Sequence, residues 1–340
     1  MFGFYRTVLA IMVVALHVGG IPVIGGYAVF GFYILSGYLM TFILHESYGY
    51  QFSGLIKYAT NRFLRIYPMY WVSILLSCIL IYVVGEPFAQ NVEKGLQYPP
   101  SLIDIIKNIF ILFPTLETAR LTPPAWALTI ELFFYTLIGL GLSRTKRIVS
   151  IWLLLSILYH IIAYSYHFDR YFTVFAASLP FATGAFIYHF KDEIFLLFSS
   201  LNTSIKRYLP IITLLFIPLN CYIGVMMDAP YSLFFYINYL LCSLMVLFLI
   251  KINISSFISK ETDQWLGEFS YPIYLIHYQV MLLILFILEA LGVRSEAPNI
   301  ILFLISLPFI FALSWFMIIK LERPIEYLRA KIKQSRPRKP

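Results

Sequence analysis

The sequence predicts an all-α, polytopic membrane protein of about ten transmembrane helices. Three observations carry that reading. Of the 340 residues, 60% are hydrophobic and only 12% charged, whereas soluble domains carry about 25% charged residues. Mean hydropathy is +0.81, so a bilayer suits most of the chain as solvent. The apolar residues also fall in long runs bounded by charge, proline or glycine, without the two-residue alternation of barrel strands.

Counting about 20 residues per crossing gives ten spans, with approximate limits 4–20, 27–45, 66–84, 124–143, 148–166, 171–189, 208–226, 232–250, 270–291 and 299–319. Lipid offers the backbone no hydrogen bonds, so these runs are expected as helices. Pro180, Pro218 and Pro308 fall inside spans and are expected to kink them. No A-x-A-like site follows the first span, so no cleavable signal is expected.

Orientation follows from the basic residues. With the N-terminus inside, the inner segments hold 19 Lys or Arg and the outer ones 5, and the remaining one, Arg6, lies within the first span. An inner excess of this kind predicts that both termini are cytoplasmic. Eight of the 19 cluster between Lys320 and Pro340, against Glu322 and Glu326. That cluster reads as an anchor facing anionic lipid, with no argument for nucleic acid. Residues 1–322 are therefore expected as the membrane domain and 323–340 as a basic cytoplasmic tail.

The longest outer connection, 85–123, is expected to hold an interfacial helix at Ser101–Phe113. There Asp104, Lys107 and Asn108 interrupt an apolar run, as an amphipathic surface helix requires. The cysteines Cys78, Cys221 and Cys242 sit in apolar runs without metal-ligand spacing, so neither a disulfide nor a metal site is expected.

Ionisable groups inside spans cost about 2.5–3.5 kcal/mol on insertion scales, so each needs a reason. The first span contains Arg6 and His17, eleven residues apart. On a helix that spacing ends about 20° past three full turns and about 16 Å along the axis, so both point the same way. Taken singly, Arg6 is also explained by snorkelling to the inner interface and His17 by a place at the outer boundary; the shared face argues against that. The fourth span carries Trp126 and then Glu131, which has no Lys or Arg one turn away on its own helix. Its partner must come from another helix, and His17 descends from the same side to a similar depth. A Glu–His pair in a low-dielectric cavity would hold the ring and stabilise imidazolium; a structural interhelical hydrogen bond is the alternative. His277 lies about two turns into the ninth span, where a lone histidine is commonly a packing residue. Arg62 and Arg65 precede the third span. One turn apart on a helix, two guanidinium groups suit a phosphate, although inner-side anchoring explains any such pair.

Together these positions resemble the acyltransferase-3 family of integral membrane O-acyltransferases. The resemblance rests on Arg6…His17, the segment Phe30-Gly-Phe-Tyr-Ile-Leu-Ser36-Gly37, Arg62-x-x-Arg65-Ile-Tyr-Pro68, Trp126…Glu131, Tyr274-Leu-Ile-His277 and Glu322-Arg-Pro324. Their order and spacing span nearly the whole chain. One departure is Gly31, which stands among residues that are usually consecutive aromatics in the family.

The resemblance implies a ten-helix domain that moves an acyl group, usually acetyl, from cytoplasmic acyl-CoA to a hydroxyl, commonly on a cell-surface glycan or its lipid-linked precursor. Arg6 and His17 match the family's essential first-helix pair, and Arg62 and Arg65 the arginines associated with CoA phosphates. Acyl-CoA is then a donor substrate, with no permanently bound cofactor, and the location implied is the bacterial inner membrane. Some members carry an extracytoplasmic hydrolase-like domain. None follows the basic tail, so action alone or with a separate extracytoplasmic partner is expected. The residues expected to carry the chemistry are His17 and Glu131, with Arg6, Arg62 and Arg65 on acyl-CoA and Ser36, Trp126 and His277 in support. A transporter or flippase of the same glycan pathway would also need intramembrane His, Glu and Arg. No inverted repeat of hydropathy favours it.

Overall fold

The computed structural model describes residues 2–113, 115, 118–252, 257–293 and 297–334. Among the described residues every regular element is helical. The ten expected spans all coincide with helices: α1 (Gly3–His17), α2 (Ile24–Ile43), α3 (Phe52–Val84), α6 (Ala125–Leu137), α7 (Lys146–Ser165), α8 (Val174–Phe195), α9 (Thr203–Met226), α10 (Leu233–Lys251), α11 (Lys260–Ala290) and α12 (Ile300–Met317). Two short helices, α4 (Glu86–Val92) and α5 (Leu102–Phe110), occupy the long connection, and α13 (Arg323–Gln334) follows α12. Single π-helical turns extend α2 through Tyr48, α6 through Leu142 and α12 through Glu322.

Among the described residues eight helices are long and apolar enough to cross a membrane, and the chain is a multi-pass membrane protein. The other two expected spans fall short for different reasons. Helix α1 has only 15 residues. In α8, Ser178, Pro180, Thr183, Gly184 and His189 dilute the apolar run.

Two helices begin earlier than the hydropathy implied. Helix α3 starts at Phe52 and α11 at Lys260, so Arg62 and Arg65 stand on α3 itself and not in a loop before it. His277 accordingly lies well inside α11, beyond the expected two turns. Charge ends an apolar run without ending a helix, because long polar side chains cost little helix propensity.

The chain divides into two compact units. The first comprises Met1–Leu9, Pro22–Leu55 and Ile130–Gly267. In it α2 and α8 approach closely because Gly37 and Gly184 face each other's backbone: a Cβ on Gly37 would lie 2.2 Å from the Phe181 carbonyl oxygen, and one on Gly184 2.0 Å from that of Ile34. Small residues that let backbones meet are how helices associate in lipid. Gly31 is likewise filled from outside, since a Cβ there would stand 2.9 Å from the Tyr5 hydroxyl. The start of α1 is capped by Asp263, whose carboxylate accepts from the amides of Gly3 (3.1 Å) and Phe4 (3.0 Å). A carboxylate there satisfies open N–H groups and complements the helix dipole.

The second unit comprises Ala10–Ile21, Ile56–Thr129 and Glu268–Pro340. Leu80, Ile81, Ala89, Leu96, Leu121 and Leu282 form a core that fastens the long connection to α3 and α11. Asn108, 1% exposed, closes that connection: its amide donates to the Ala119 carbonyl at 2.8 Å and its oxygen accepts from the Leu121 amide at 3.0 Å. The expected interfacial helix is present as α5, with Leu102, Ile103 and Phe110 exposed as a face for the lipid interface. Ser101 caps it, and hydrogen bonds from Ser101 and then Lys107 hold the Asp104 carboxyl below the usual range.

Candidate active site

In the second unit α1 and α11 bring His17 and His277 together. Nδ1 of His17 lies 3.0 Å from Nε2 of His277, and the rings are parallel to within 3°. His277 is fully buried and His17 half-buried. The hydrogen-bond network assigns the tautomers. Nδ1 of His277 lies 3.2 Å from the Ile273 carbonyl oxygen, which can only accept, so that nitrogen carries the proton. A neutral His277 then offers an acceptor at Nε2, and His17 must donate to it from Nδ1. The lone pair of a neutral His17 is therefore on Nε2, which makes no hydrogen bond among the described residues. That is the geometry of an oriented base: one nitrogen anchored, the other open.

This differs from the expectation that a carboxylate orients His17. His17 Nδ1 has room for one hydrogen bond, and His277 takes it. A carboxylate would have fixed the same tautomer and also neutralised an imidazolium; a second imidazole does only the first.

Tyr278 lies against both rings, with centroids 5.0 Å from His17 and 4.9 Å from His277. Its hydroxyl donates to Glu93 Oε2 at 3.4 Å. One turn before His277, the Tyr274 hydroxyl donates to the Pro124 carbonyl at 2.7 Å. This bond ties α11 to the segment that opens α6 and carries Trp126.

Arg62 and Arg65 stand one turn apart on α3, at the end where α12 finishes. Arg65 forms an ion pair with Glu322, which is 3% exposed, and its guanidinium lies 5.9 Å over the Tyr271 ring. Arg329 of α13 approaches the same carboxylate at 3.6 Å. Asn61 Oδ1 accepts from Arg62 at 2.8 Å and from Arg329 at 3.3 Å. Three guanidinium groups thus surround one carboxylate and one amide. Arg62, Arg65, Arg329 and Glu322 sum to +2, and paired guanidinium groups suit an anion carrying more than one charge. Along α11, Tyr271 and His277 are six residues apart, or about 9 Å of rise, so the ring beneath Arg65 and the buried histidine stand on one helix.

The first unit holds the other expected residues. Arg6 donates to the Gly267 carbonyl at 3.3 Å, and Thr7 beside it donates to that of Leu266 at 2.5 Å. The Glu131 carboxylate accepts from Ser36 at 2.5 Å and from Tyr135. Two hydroxyl groups thus donate to this one carboxylate.

Sequence reasoning passed over Tyr135, Tyr278, Asn61 and Arg329 as participants. Tyr135 was within reach, since it stands four residues after Glu131 and so on the same helix face. Asn61 and Tyr278 adjoin named residues but carry no charge to draw attention. Arg329 was counted with the tail, where its partner could not be read.

Fold and site define a class: a polytopic all-α membrane protein with an oriented histidine base on α1 and a cationic cluster on α3 and α13. Residues 4–319 match the acyltransferase-3 family, described as an acyltransferase domain, and the chain belongs to that family. It is similar to the acyltransferase MdmB of Streptomyces mycarofaciens, with 24% identity over 128 residues, which cover 38% of this chain and 31% of that protein. No solved structure matches the chain.

Proposed function

We propose that the protein is a membrane O-acyltransferase that moves an acyl group, in the simplest case acetyl, from cytoplasmic acyl-CoA to a hydroxyl of a cell-surface glycan or its lipid-linked precursor. The observation that carries this reading is the His17–His277 hydrogen bond, which leaves a lone pair at His17 Nε2. A sugar hydroxyl ionises far above neutral pH, so a base in contact with it is needed, and such a group contributes about 10²–10⁴-fold. His17 Nε2 takes the hydroxyl proton as the oxygen attacks the thioester carbonyl. The carbon–sulfur bond then breaks, and the proton passes to the departing thiolate. Family membership and the net positive cluster of Arg62, Arg65 and Arg329 support acyl-CoA as donor. Arg6 is assigned to the donor, and Glu131, with its two hydroxyl donors, to a supporting charge.

The reading is tested by mass spectrometry of surface glycans from deletion and complemented strains. A glycan mass unchanged by deletion would overturn it. Donor binding is tested separately. Changing Arg62 and Arg65 together to Ala is expected to weaken acyl-CoA binding at least about tenfold, since each charge-assisted hydrogen bond contributes about 1.5–3 kcal/mol. Arg329 remains beside Glu322 in that variant, so the buried carboxylate keeps a cation. Unchanged affinity by calorimetry would return the two arginines to inner-side anchoring.

The basic asymmetry supports both termini in the cytoplasm, with a membrane domain over 1–322 and a tail over 323–340; the bacterial inner membrane is the location that the family resemblance implies. A reporter fused after Gln334 is expected to give a cytoplasmic signal and one inserted near Tyr98 an external signal. A cytoplasmic signal at Tyr98 would invert the order of spans.

A further inference from the structure

Within the first unit α7, α8 and α10 enclose a groove of about 600 Å³. Its walls are apolar and outward-facing, with Ile161, Leu233 and Leu240 more than half exposed. Its one histidine, His160, is already satisfied, with Nε2 2.9 Å from the Ala176 carbonyl oxygen and Nδ1 3.4 Å from the Tyr236 hydroxyl. The groove therefore calls for an apolar occupant.

A second cavity of about 250 Å³ is formed by the loop between α7 and α8 together with Tyr231 and Phe235. Arg170 joins the two. It lines the smaller cavity, and its guanidinium lies 5.0 Å over the ring of Tyr164, a wall of the groove. The loop is preset by Asp169, whose carboxylate accepts from the amides of Tyr171 (2.8 Å) and Phe172 (3.1 Å), and by Tyr159, which donates to the Asp169 carbonyl at 2.9 Å. Asp169 is thus occupied with backbone. Among the described residues Arg170 forms no ion pair, and its Nη1 is buried without a hydrogen bond.

A membrane-interface belt accounts for exposed tyrosines and phenylalanines. It does not account for a buried guanidinium nitrogen left open among them, since an unsatisfied charged donor is costly. Three chemistries follow one another here: an apolar trough, a cation and an aromatic wall. We infer that the two cavities bind a lipid-linked sugar phosphate, with the hydrocarbon chain in the groove, the phosphate at Arg170 and the adjoining sugar against Phe172 and Tyr231. This inference rests on the acyltransferase reading and identifies the acceptor as one carried on a lipid. An ordinary phospholipid would use the trough and the cation and leave the aromatic wall without a role.

The test is binding to the purified full chain in nanodiscs, without donor. The probes are farnesyl-diphosphate-linked N-acetylglucosamine, the same sugar phosphate without its chain, and phosphatidylglycerol. The chain-bearing probe is expected to bind at least about tenfold more tightly than the other two. Arg170→Gln is expected to weaken it at least about tenfold, and Ile161→Trp, which narrows the trough on a lipid-facing surface, to bring it to the level of the chain-free probe. Unchanged affinity in Arg170→Gln would overturn the inference, and so would equal binding of phosphatidylglycerol, which would make this a bulk-lipid site. Because binding is read without transfer, the two readings fail separately. A protein that binds the probe but acylates no glycan overturns the reaction and leaves this site standing. Normal glycan acylation with wild-type affinity in Arg170→Gln does the reverse.

Discussion

His17→Gln is expected to abolish acyl transfer while acyl-CoA still binds. Glutamine keeps the approximate size of the ring and its hydrogen bonding to His277, but it cannot act as a base near neutral pH. The loss should therefore reach the full contribution of a general base, about 10²–10⁴-fold. Donor affinity should persist, because the cationic cluster on α3, α12 and α13 is untouched. The decisive measurement is acyl transfer by purified His17→Gln protein shown to bind acyl-CoA. Wild-type turnover there would remove His17 from the mechanism and leave His277 as the next candidate.

The second large effect is expected at His277, as a positioning residue that acts through His17. In His277→Phe the ring volume is nearly kept, but the acceptor for His17 Nδ1–H is gone. The first imidazole is then free to rotate and to place its proton on Nε2. Leaving that donor without a partner costs about 1–3 kcal/mol, or about 5–150-fold in turnover. His277→Gln separates this role from packing, because its amide oxygen reaches roughly the place of Nε2 and can still accept. Turnover should recover substantially in His277→Gln, with KM for acyl-CoA unchanged in both variants. Equal losses in the Phe and Gln variants would mean that His277 only fills space.

Much of the fold was legible because membrane insertion is a problem of local composition. Every expected span coincides with a helix, since each run of apolar residues must satisfy its own backbone. The starts of α3 and α11 were less legible. Hydropathy reports where lipid contact ends, and both helices continue past that point into segments carrying Lys57, Arg62 and Arg65, or Lys260, Glu261 and Asp263. Among site residues, those that violate the rules of the membrane could be named one by one: Arg6, His17, Glu131 and His277. Tyr278, which lies against both histidine rings, could not, because it is neutral and costs lipid little.

The sequence by itself determined that this chain crosses a bilayer repeatedly, that its basic residues lie mostly to one side, and which ionisable groups sit where lipid penalises them. These are sums over neighbouring residues, and neighbours along the chain are known without a fold. Only the tertiary structure decided that His17 Nδ1 bonds to His277 and not to a carboxylate, that Glu322 gathers Arg65 and Arg329, and that Arg170 lies over Tyr164, a wall of an apolar groove, with one nitrogen unbonded. The first two depend on contacts across more than 250 residues, the 260 between His17 and His277 and those between Arg65 and Glu322. The tautomer that exposes the base follows from one further fact absent from the sequence, the direction in which a single carbonyl of α11 can bond.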